Sequence, residues 1–89
     1  MMLGDGWDPF DAATQTRGFT DSATLIVMAA AAGKTTVDVT LAPGYSASIG
    51  SAGGNRFSVD LALRPGGNAV MLESASGERV RVAKVRVSP

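Results

Sequence analysis

The sequence predicts an all-β domain, a two-sheet antiparallel β-sandwich of about seven to eight strands in a jelly-roll or immunoglobulin-like arrangement. Three observations predict it. Apolar and polar residues alternate over several short runs, turn residues separate those runs at short and fairly regular spacing, and 45% of the 89 residues are apolar. That length holds one core and not two, and is slightly under the ~100 residues of an immunoglobulin-size sandwich.

Taken in order, residues 1–6 read as a frayed start to a single domain spanning 7–89. Residues 23–30 and 68–73 are apolar on both parities, as central strands covered on both sides would be. The alanine-rich stretch 22–32 also admits a helix capped by Asp21 or Ser22. Strand is preferred there because every neighbouring element reads as β. Residues 35–41 place Val37, Val39 and Leu41 on one face, and residues 57–63 do the same with Phe57, Val59, Leu61 and Leu63. In residues 79–87 the parity changes, Val80 and Val82 against Val85 and Val87, which predicts a bulge near Ala83 and Lys84. The outward set is then Arg79, Arg81, Lys84 and Arg86, a basic stripe. Turns are expected at Ala32-Gly33-Lys34, Pro43-Gly44-Tyr45, residues 50–55, Pro65-Gly66-Gly67-Asn68 and Ser76-Gly77-Glu78.

Composition excludes several classes of chemistry. Eight acidic and eight basic residues cancel, so no global field favours nucleic acid, and none is expected as a partner. With neither cysteine nor histidine, thiolate or imidazole metal sites, thiol nucleophiles and Ser-His-Asp catalysis are excluded within this chain. Without cysteine the redox compartment is not readable. Residues 23–32 have the length of a signal core, but Asp5, Asp8, Asp11 and Asp21 outweigh Arg17 on a flank that needs positive charge. Ten apolar residues are half of the ~20 that span a bilayer, so no membrane insertion by this chain is expected.

No motif carries catalysis. Gly33-Lys34-Thr35-Thr36 resembles the tail of a phosphate-binding loop, but Met28 stands where its first glycine belongs and a strand pattern follows in place of a helix. A Gly-Lys hairpin turn is the expected structure. Asp5, Asp8 and Asp11 do not match a calcium loop, whose ligands sit two apart and end in glutamate, so a solvated acidic segment is expected and no metal. Asp38 and Asp60 lie mid-strand on outward faces and read as surface charges, not as an acid–base pair. The chain is expected not to be an enzyme and to need no cofactor.

The aromatics are the other candidates, because a flat ring can stack on the apolar face of a sugar. Phe57 and Phe19 read as core. Tyr45, after Pro43-Gly44, reads as an exposed turn residue, while Trp7 is either an edge plug or a ligand platform. The glycine-rich loop 50–55 is either a donor of polar groups or a flexible hairpin.

Residues 57–89 resemble the closing strands of bacterial carbohydrate-binding jelly-roll modules, and also the β-sandwich domains attached to the C-termini of bacterial membrane glycosyltransferases. Pro65, Gly66, Asn68, Val70, Leu72, Gly77, Val85 and Val87 carry the likeness. Gly6-Trp7, then Arg17-Gly18-Phe19-Thr20 and Ala23-Thr24-Leu25, are similar to the Gly-Trp opening and Arg-aromatic strand of the second group. Asp8 directly follows Trp7, a partial match to an acidic residue that comes shortly after. Ala83 stands where calcium-containing modules carry an aspartate, so the likeness does not extend to a structural calcium.

The resemblance implies a non-catalytic accessory module that binds carbohydrate beside a glycan-active or glycosyltransferase partner, extracytoplasmic if part of a larger membrane or secreted protein. Trp7, Tyr45, Asn55 and Arg56 are its expected ligand contacts, with the aromatics exposed and close together. A structural or protein-docking sandwich is the alternative, with Trp7 buried and the basic stripe or an edge strand as contact. An assembly protein built on a sandwich is a third.

Overall fold

The computed structural model describes residues 2–75 and 77–88. Among them are nine strands and no helix: β1 (Met2–Leu3), β2 (Arg17–Thr20), β3 (Ser22–Ala29), β4 (Gly33–Leu41), β5 (Ala47–Ile49), β6 (Ala52–Gly54), β7 (Arg56–Leu63), β8 (Gly66–Ser74) and β9 (Arg79–Ser88). Sheet A runs β1-β3-β8-β5-β6 and sheet B runs β2-β9-β4-β7, with every pairing antiparallel. Of the two arrangements expected, the order is that of a jelly roll. Each connection crosses between sheets except the β5–β6 hairpin, and β2 lies beside β9.

The alternating runs explain the core. Phe19, Leu25, Leu72, Val37 and Val39 are wholly buried, and β3, β4 and β5 send every second side chain between the sheets. Burying such a side chain contributes roughly 1.5–3 kcal/mol. The bulge falls where the valine parity placed it: Thr40 pairs with Lys84 and Leu41 with Val82, leaving Ala83 unopposed. Val80, Val82, Val85 and Val87 therefore all pack against the core.

Three expectations are corrected. Leu3 does not fray but pairs with Leu25, and the Gly4 amide donates to Thr24. The apolar runs in β3 and β8 are covered on one face alone: Ala23, Leu25 and Val27 are buried, whereas Met28 is 56% and Met71 54% exposed. On that outer row the Ile26 and Met28 side chains reach over Gly67. Gly33 and Lys34 are already in β4, paired with Leu63 and Ala62, so the preceding turn is a corner between sheets and not a hairpin. Residues 50–55, in contrast, do form a hairpin turning at Gly50 (φ 58°). Ser76 of the last expected turn lies outside the described residues.

The turn at Pro65 owes its shape to Asn68. Its amide accepts from the Arg64 N–H and donates to the carbonyls of Arg64, Gly66 and Val27, tying the turn to the neighbouring strand β3.

Candidate functional site

The segment before β2 is built onto the edge of sheet B. Trp7 bridges Phe19, and the Asp8 amide donates to Gly18. Trp7 is half-buried: its ring meets Phe19 edge-on at 5.5 Å, and its indole N–H donates to the Thr24 carbonyl at 2.9 Å. This geometry depends on Gly6, whose φ is 94° and on which a Cβ would lie 2.4 Å from the Ser22 carbonyl oxygen. Trp7 is thus a plug at the end of the sandwich, with its polar atom satisfied internally.

Beyond Trp7 the chain makes a closed turn. Asp11 and Thr16 exchange both backbone hydrogen bonds, the Asp11 carboxylate accepts from the Ala13 N–H, and Gln15 adopts φ 55°. Arg81 on β9 reaches Asp11 at 3.2 Å and donates to the Thr16 hydroxyl. The Ala13 N–H, then the Thr14 side chain, and more weakly the Arg81 charge hold the Asp11 carboxyl below its ordinary value of 3.8. Asp8 pairs with Arg79, again at 3.2 Å. The acidic segment is therefore latched to the upper half of the basic stripe. Among the described residues, no three acidic side chains gather as a metal site would require.

Phe10 lies between the two latched aspartates, Asp8 and Asp11. Phe10 is 54% exposed and, with Leu3, Trp7, Gln15, Arg17 and the bulge residues Ala83 and Lys84, lines a shallow depression of about 170 Å³. An exposed ring, an aromatic wall and the polar ends of Gln15 and Arg17 can hold a ligand with one apolar face and a polar rim. A larger hollow of about 450 Å³ lies over Lys34, Thr35, Thr36, Asp60, Leu61 and Ala62, and no aromatic lines it.

The four expected contacts do not form one site. Trp7 belongs to the depression just described. Tyr45 is half-buried against the core, not exposed, with its carbonyl accepting from the Asn55 amide. Asn55 donates to Ala42 as well, and its own carbonyl accepts from the Leu41 N–H. It is a staple between the β4–β5 loop and β7, with its amide donors engaged by the chain itself. Arg56 is exposed, on the outer face of sheet B with Asp38, Thr40, Lys84 and Arg86. Phe10 and Gln15 were not singled out by sequence. The available signal was an aromatic outside every alternating run, in Asp8-Pro9-Phe10-Asp11.

Gly33-Lys34-Thr35-Thr36 is regular strand paired to β7, with no helix after it to gather backbone N–H groups around a phosphate. Asp60 accepts from the Thr36 hydroxyl and Asp38 from the Ser58 hydroxyl, both across the open face of a sheet. Compared with models of known protein families, with curated proteins and with solved structures, the chain matches none.

Proposed function

We propose that the chain is a non-catalytic, carbohydrate-binding-like accessory domain that takes a glycan at the Trp7–Phe10 depression and works beside a glycan-active or glycosyltransferase partner. One observation supports this reading: Phe10, more than half exposed and set in a latched turn, lines one depression with Trp7, Gln15 and Arg17. An ordered platform loses little freedom on binding. The small contact area implies weak affinity for a single sugar unit. The test is a glycan-array screen followed by titration of any ligand found. Phe10→Ala is expected to weaken binding about tenfold, a loss of roughly 1.4 kcal/mol, while the melting temperature stays unchanged because the ring is largely outside the core. A folded domain that binds no glycan, or a Phe10→Ala variant that binds as well as the parent, counts against the reading.

A second reading is favoured by a separate observation. Ile26, Met28 and Met71 form an apolar stripe on the outer face of β3 and β8, where flexible methionines suit a protein contact. If the domain docks through this face, concentration-dependent association in sedimentation velocity is expected, and Met71→Lys removes it. A monomer at every concentration argues against self-docking on this stripe.

A further inference from the structure

Among the described residues, Arg79 and Arg81 are the basic side chains held by a carboxylate. Three others on the outer face of sheet B have no such partner there. Arg56 and Lys84 pair with Thr40 from its two sides, and Arg86 pairs with Asp38 one row along the same face. With strands ~4.8 Å apart, the Arg56 and Lys84 Cα atoms stand about 10 Å apart across Thr40, and Lys84 and Arg86 about 7 Å apart along β9. All three side chains are exposed and line a single depression of about 140 Å³ with Asp38 and Thr40. Three cations against Asp38 leave a local charge of +2 on a chain whose net charge is +0. Like charges so placed repel one another until an anion joins them.

Asp38 does not occupy the centre of this triangle. It accepts from the Ser58 hydroxyl, while Thr40, with a hydroxyl to donate, lies between Arg56 and Lys84. The bulge adds a further link, because Lys84 lines both this depression and the one containing Phe10. We infer that Thr40, Arg56, Lys84 and Arg86 form a site for a compact oxyanion, a sulfate or carboxylate group carried by an acidic saccharide whose neutral ring rests against Phe10. The carrier rests on the glycan reading above, whereas the anion site does not. Arginine's fork suits a two-oxygen anion, and lysine adds a point charge.

The experiment is an amide-resonance titration of the intact chain with sodium sulfate at low ionic strength, then with polygalacturonate and a neutral galactan of similar length. Sulfate is expected to shift the Thr40, Arg56, Lys84 and Arg86 amides saturably. Arg56→Gln, Lys84→Gln and Arg86→Gln each weaken it roughly two- to fivefold, the range for exposed charge pairs. Asp38→Asn strengthens it by a similar factor, and Arg64→Gln, away from the cluster, changes nothing. Polygalacturonate binds more tightly than galactan, and added salt erodes the difference. Shifts spread evenly over all the basic residues, or glutamine variants that bind like the parent, overturn the site. Sulfate bound at the cluster without any saccharide, and without an effect of Phe10→Ala, upholds the anion site and removes the glycan reading. Galactan bound through Phe10 without sulfate shifts does the reverse.

Discussion

Phe19→Ala is expected to lower the unfolding free energy by about 3–5 kcal/mol, the range for deleting a buried aromatic ring. Phe19 has no exposed surface, sits on β2 opposite Val80, and takes the edge of Trp7 against its ring. Removing it opens a cavity between the sheets and takes away the partner of the plug. A domain of this size has a total stability of roughly 5–10 kcal/mol, so the loss removes from about a third to all of it. Urea denaturation followed by circular dichroism checks this, with Phe19→Leu as a milder variant whose loss is expected near 1–2 kcal/mol. A loss below about 1 kcal/mol for Phe19→Ala would show that the ring is not the centre of the core.

Gly6→Ala is the second large effect. The positive φ alone costs an alanine about 1–2 kcal/mol, and the added methyl runs into the Ser22 carbonyl, which belongs to a strand and has nowhere to go. Relief requires the segment to lift, breaking the indole bond to Thr24, so the combined loss is expected at about 2–4 kcal/mol. Tryptophan emission reports the outcome directly: the single Trp7 shifts to the red and becomes open to iodide quenching as it leaves its pocket. Gly33→Ala serves as the control, since a Cβ there meets nothing and φ is unremarkable. If Gly6→Ala leaves both the emission and the urea midpoint where they were, the Gly6–Ser22 contact is not what seats Trp7.

The sheet architecture was legible because period-two patterning and turn chemistry are local signals. Val37, Val39 and Leu41 face inward as their spacing requires, and the valine phase change placed the bulge near Ala83 and Lys84, where Ala83 is the unopposed residue. What one strand's neighbours are is not local. The two-sided apolar character of β3 gave no sign that its outer row would stay open, because cover for a sheet face comes from elements elsewhere in the chain, and among the described residues none arrives. The site was less legible for the same reason. Asn55 looked like a free amide in a glycine-rich loop, yet its partners Ala42 and Tyr45 are brought to it by a crossover between sheets. Phe10 carried no pattern at all. Its exposure follows from ion pairs between Asp8 or Asp11 and arginines some seventy positions later, which no window along the sequence can connect.

The place of β9 has a consequence for how the molecule comes into being. It follows the other eight strands in the sequence, yet it lies in the interior of sheet B, between β2 and β4. Until it emerges, β2 has no strand partner in sheet B and β4 has only β7, so both wait with an unpaired edge while the chain is made. Closure then requires β9 to thread between two segments already present, a search dominated by distant contacts and correspondingly slow. A stalled or shortened chain ending before Arg79 retains the β3–β8 pair with its apolar faces and lacks the strand that joins β2 to β4. Such an intermediate exposes the unpaired strand edges and apolar surface from which aggregation starts, until the ten-residue strand β9 is in place.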